Sequence, residues 1–151
     1  MAGIIVGAKI IGGEFWERKL QEAFETWARF EVNDYFRDQF NTEKWYYPEV
    51  TFRKSGQTAG PDPRDIYDLG NLYRSGRDSF VVTTEALEVT ASWDWNAKNS
   101  SGRLYAYYVH EGKGTNIEPR QWTDALSSPS IFLSSNLSKS LKTRIANALR
   151  R

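Results

Sequence analysis

The chain has 151 residues, no cysteine, one histidine and a formal net charge of +1. That length predicts one domain with enough interior to form a core without cross-links. The missing thiols exclude a disulfide framework, a thiolate metal site and a cysteine nucleophile, and near-neutrality removes any global electrostatic case for nucleic acid or an anionic membrane.

The opening stretch, "MAGIIVGAKIIGG", lacks a basic leader, and Gly7 and Lys9 interrupt its apolar residues; it reads as a mobile arm or an added strand over residues 1–12 rather than a signal peptide. Residues 13–40 are expected to form a long helix. Trp16, Leu20, Ala23, Trp27 and Phe30 make an apolar stripe at alternating steps of 4 and 3, which Phe24, Val32 and Phe36 widen. Its acids, among them Glu31, outnumber its bases and predict a solvated face. "WYYPEVTFRKSG" reads as a short extended piece with an edge proline at Pro48, and Ser55 to Pro63 as a loop.

In "RDIYDLGNLYRSG", Ile66, Leu69, Leu72 and Tyr73 sit at helical spacing. Asp68 is expected to cap a helix running to Ser75, Gly76 to stop it, and Gly70 to serve close packing. Phe80, Val82 and Thr84, then Leu87, Val89, Ala91 and Trp93, alternate about Glu85-Ala86 and predict a hairpin. "RLYAYYVHEG" fits either a strand or a short helix. Pro119 is placed at the first turn of a helix through "PRQWTDAL". The last helix carries Leu137, Leu141 and Ile145 on one face, Ser135 or Asn136 as cap, no acid, and five bases: Lys139, Lys142, Arg144, Arg150 and Arg151. The expected class is α+β, a long N-terminal helix and a C-terminal helix packed on a small antiparallel sheet, as one domain over 13–151.

The residues offer little chemistry. Acids lack a metal-ligand spacing, and no cofactor or metal is expected. His110 has no strained serine turn to work with, so it reads as a packed or hydrogen-bonded ring. "GKGT" at Gly112 to Thr115 fails the phosphate-loop spacing. Twenty-two aromatic rings (six Trp, eight Tyr, eight Phe) are more than a domain of this size buries fully, so some are expected at subunit contacts. The alternative function is a nucleic-acid-binding module using the basic C-terminal helix and stacking aromatics.

Two stretches carry a resemblance. "RDIYDLGNLYRSG" resembles the "R-D-x-x-D-T-G-x-L-x-x-S" element of a bacteriophage neck and tail-completion family, also described as head–tail joining or minor tail components. "YAYYVHEGKGT…EPRQW" resembles that family's "Y-A-x-x-V-H/E-x-G" element, followed by Pro-Arg and a bulky aromatic. The long helix precedes both in the family's order, so the likeness covers roughly residues 10–150. Asp68, Gly70, Leu72 and Ser75 match the first element, with Leu69 in place of the usual Thr. Tyr105, Ala106, Val109, His110, Gly112, Pro119 and Arg120 match the second. The resemblance implies a non-enzymatic virion protein made in the host bacterial cytoplasm. It implies a homo-oligomeric, hexameric ring at the head–tail junction or tail terminus, contacting connector, tail-terminator or tail-tube proteins and leaving a channel for DNA, with no membrane association. The motif residues would hold the fold and subunit contacts together.

Overall fold

The computed structural model describes residues 2–9, 14–61, 64–86, 88–113 and 119–150. The protein is α+β. Helix α1 (Glu14–Trp27) continues through a π-helical segment, Ala28–Val32, into α2 (Asn33–Asn41), so the long helix expected over 13–40 is present with one irregularity. The π turn changes which side chains face inward. Ala23, Phe24 and Trp27 are buried before it, Ala28 and Val32 within it, and Phe36 and Phe40 after it, the last four at steps of four residues. A wider turn advances the register by about one residue, which takes Phe30 out of the expected stripe and leaves it 56% exposed.

Two compact units share the described chain. One comprises Ile4–Tyr35, Phe80–Trp93 and Thr123–Arg151; the other comprises Met1–Gly3, Phe36–Ser79 and Asp94–Trp122.

In the first unit, α1 packs along α7 (Asn136–Arg150). Trp27 is fully buried, and its indole N–H donates to the Leu137 carbonyl at 3.0 Å and the Ser140 hydroxyl at 3.1 Å. Arg144 on α7 grips the Glu31 carboxylate, with its Nε 2.9 Å from both oxygens. Ser135 caps α7, its hydroxyl accepting from the Ser138 N–H at 3.2 Å. The sheet runs β1 (Ala2–Lys9), β5 (Glu88–Trp95), β4 (Val81–Glu85). The hairpin β4–β5 is antiparallel, from Val81 opposite Ser92 to Glu85 opposite Glu88. Val89, Ala91 and Trp93 alternate into the interior as period two requires; Leu87 lies outside the described residues. Ala2–Lys9, expected as an arm or an added strand, is a strand alongside β5 of its own chain. Two short helices, α5 (Asp124–Ser127) and α6 (Pro129–Ser134), lead into α7.

The second unit is an aromatic cluster with short elements around it. Phe36 meets Trp95 edge to face at 4.8 Å between centroids, Trp95 meets Trp122 at 5.8 Å, and Phe40 meets Trp122 at 5.2 Å. Around the cluster lie a small hairpin of β2 (Thr51–Phe52) and β3 (Thr58–Ala59), then α3 (Asn71–Asp78) and α4 (Ala106–Glu111). The stretch from Ser55 onward is therefore not wholly loop, because Thr58–Ala59 pairs back on Thr51–Phe52.

Candidate functional site

Several matched residues take a different part from the one expected. Asp68 does not cap α3. That helix begins after Gly70, whose φ is +77°, with no side-chain cap. The Asp68 carboxylate instead accepts the backbone N–H groups of Lys54 at 3.2 Å and Ser55 at 3.3 Å, tying the β2–β3 hairpin. Burial pushes the Asp68 carboxyl pKa up, but hydrogen bonds from the Ser55 side chain and the Ser55 and Lys54 backbones, together with the Arg53 charge, outweigh it and hold the pKa below the ordinary value. The left-handed φ at Gly70 disfavours any side chain, and a Cβ there would also sit 2.5 Å from the Tyr67 hydroxyl. Gly76 does not stop α3. It lies inside the helix, buried, where a Cβ would fall on the Trp95 indole. Ser75 turns inward on its own helix and donates to the Leu72 carbonyl at 2.7 Å.

The ambiguous "RLYAYYVHEG" is helical from Ala106 to Glu111, and Gly112 ends α4 in the left-handed region at φ +63°. Ala106 is buried, and the Tyr105 N–H reaches the Ala97 carbonyl at 3.2 Å. Gly114 lies outside the described residues. Pro119 is exposed and starts no helix; α5 begins at Asp124. The reason lies next door: the Arg120 N–H donates to the carbonyls of Val109 at 3.2 Å and His110 at 3.1 Å, which pins this stretch against the end of α4 in a non-helical path. His110 packs edge to face on Trp122 at 4.7 Å, and its Nδ1 lies 2.7 Å from Glu111 Oε1. It is a packed ring with a carboxylate partner.

Asp68, Gly70, Leu72, Tyr105, Val109 and Arg120 line one cavity of about 390 Å³ in the second unit. Ser75, Ala106, His110, Gly112 and Pro119 do not line it. The same walls carry a set of charged residues, of which the sequence singled out only Asp68 and Arg120. Among the described residues, Arg53, Lys54, Arg64, Lys98 and Arg120 are the bases of the lining, and Asp65 and Asp68 its acids. Arg53 is paired with the Asp65 carboxylate and also reaches the Asp65 carbonyl at 3.2 Å. Arg64 is 6% exposed, and its Nη1 donates to the Thr51 hydroxyl at 2.9 Å. The guanidinium groups of Arg64 and Arg120 lie 4.8 and 5.3 Å from the centre of the Tyr47 ring, within cation–π range. Arg120 has a buried Nε with no hydrogen-bond partner among the described residues. Burial, then the Arg64 charge, with a smaller push from Arg53, lower its pKa to about 10 against the pull of Tyr47. Burial likewise raises the Tyr105 phenol, with the Asp68 charge adding to it. Arg64 and Arg120 stand in "RDIYD" and "PRQW", but nothing in those stretches announces their convergence, which depends on the fold.

Among the described residues, no group of three or more His, Asp or Glu is placed to hold a metal ion, and no helix is long and apolar enough to cross a membrane. On α7, Arg144 is already committed to Glu31, which removes one base from the face that a nucleic acid would need. Comparison with protein-family models, with curated proteins and with solved structures returned no match.

Proposed function

We propose that the protein is a structural component of a tailed-bacteriophage virion, forming a ring at the head–tail junction or tail terminus and acting by assembly rather than turnover. The motif likeness supplies the family, and one structural observation supports an assembly role. Tyr46, Val50 and Phe52 lie within seven residues of chain and are 66%, 52% and 82% exposed. Three large apolar groups exposed on one short segment suit subunit contact. Rings require a head-to-tail contact that closes on itself, so this segment would meet a different surface on the next copy. The bound neighbours would be connector, tail-terminator or tail-tube proteins, with DNA passing through the channel. The motif residues fit such a role, because they set the turns and ties of the second unit.

The test is direct. Mass photometry and negative-stain imaging of the purified protein should show closed rings, and particles made without it should carry unjoined or unfinished tails. A protein that stays monomeric at the highest attainable concentration, in virions whose tails are complete without it, would end this reading.

A further inference from the structure

We propose that the cavity lined by Arg53, Arg64 and Arg120 binds a phosphomonoester, with Arg120 as the principal donor to the phosphate and the tyrosine-lined space holding the group that carries it. Five bases against two acids leave three positive charges in excess around the cavity, which suits a dianion better than a single carboxylate. Arg53 already has Asp65 as counterion, and Arg64 is fixed by Thr51 and Tyr47. Arg120 has an aromatic face beneath it and a buried Nε with no acceptor among the described residues. The Arg120 side chain makes no hydrogen bond among the described residues, and an oxyanion in the cavity would give its guanidinium charge-assisted bonds in the forked geometry that group offers. Burial and like charge together depress the Arg120 pKa, so the cluster is held together against its own repulsion. A cavity of about 390 Å³ exceeds a bare phosphate and lies in the range of small-molecule pockets. Tyr67, Tyr73 and Tyr105 line the remainder.

Titration calorimetry on the full chain at constant ionic strength tests this with inorganic phosphate, phenyl phosphate and acetate. Saturable phosphate binding is expected, tighter for phenyl phosphate and absent for acetate. Arg120→Gln, with its fold checked by circular dichroism, should weaken phosphate binding about tenfold or more. Lys98→Gln at the exposed rim should weaken it about two- to fivefold, and it keeps the test open if Arg120→Gln does not fold. No saturation by phosphate, equal binding of acetate, or unchanged affinity in the variants that fold would overturn the site.

A 5′-phosphorylated oligothymidylate and its unphosphorylated form separate the two sources of a phosphomonoester. Preference for phenyl phosphate over the phosphorylated oligomer assigns a free small molecule; the reverse assigns a DNA end. Equal binding of both oligomers, with no binding of phenyl phosphate, would overturn the proposal, because backbone diesters would then suffice.

Discussion

Replacing Arg120 with methionine should make the protein more stable in phosphate-free buffer. An ordinary arginine stays charged well above pH 10, and Arg120 is lowered to about 10 by burial and by Arg64. At 1.36 kcal/mol per pH unit, the difference corresponds to roughly 3 kcal/mol against the charged form. Water reaching the guanidinium screens part of this, leaving about 1–2 kcal/mol. Methionine preserves most of the side-chain stem, but the contact with Tyr47 is lost, at about 0.5–1 kcal/mol. The net gain is then on the order of 1 kcal/mol, or about 2–4 °C in Tm for a chain of this length. The sign with pH follows from linkage. The folded state sheds the Arg120 proton before the unfolded state does, so stability rises with pH from about 10 up to the ordinary arginine range. The advantage of the variant should therefore be full at neutral pH and shrink above pH 10. Urea unfolding of both proteins, compared at pH 7 and 10.5, measures it. A loss of more than about 1 kcal/mol in Arg120→Met at pH 7 would refute the reasoning, because the guanidinium would then be a net structural tie.

Phe52→Asp should abolish ring assembly while leaving unfolding stability within about 0.5 kcal/mol, since the side chain is 82% exposed; size-exclusion chromatography and urea melts read the two effects separately. Gly76→Ala should cost about 1–3 kcal/mol, because its methyl falls on the buried Trp95 indole, and indole fluorescence should shift with it. Asp68→Asn should loosen Lys54 and Ser55, seen as faster amide exchange there. The Asp68 pKa is depressed in the folded state, so its contribution is present above the ordinary carboxylate pKa of about 3.9 and is lost as pH falls below it. A double-mutant cycle on Glu31 and Arg144, which are both about one-third exposed, should return a coupling of about 1 kcal/mol, and a value near zero would remove that ion pair as a tie between α1 and α7.

Where periodicity had a single strong solution, the sequence was legible. The first helix, the β4–β5 hairpin and α7 stand where their apolar spacing put them, because 3.6 and 2 are separable periods over eight or more residues. The exchange of Phe30 for Phe40 on the buried face was not legible, since no local residue type announces a π turn. Ser135 caps α7 as expected, but the Asp68 cap failed for a related reason. Asp68 is a good N-cap by chemistry, but an acceptor has no preference between the first turn of a helix and two hairpin N–H groups, and the fold brought Lys54 and Ser55 closer. Gly76 was misread because a glycine that ends a helix and a glycine that admits an indole look alike in a sequence. Pro119 was misread because the bonds holding Arg120 to Val109 and His110 come from a segment that itself fitted two periods.

The motif residues divide by what they do, and the division bears on function. Gly70 and Gly112 set backbone turns, Ala106 fills the interior and His110 packs on Trp122; replacing any of these would disturb folding first. Arg120 is different. Its backbone secures the return from α4, but its side chain is a partly buried charge near two others of the same sign, with a buried nitrogen left unmet. Beyond its contact with Tyr47, folding gains little from a guanidinium there, since an apolar side chain of similar length would repel nothing. A residue that costs stability in the free protein and would repay it on meeting an anion is what binding sites collect. The stability of Arg120→Met and the phosphate affinity of Arg120→Gln therefore address the same question from opposite sides, and a gain in the first with a loss in the second is the pattern that a binding role requires.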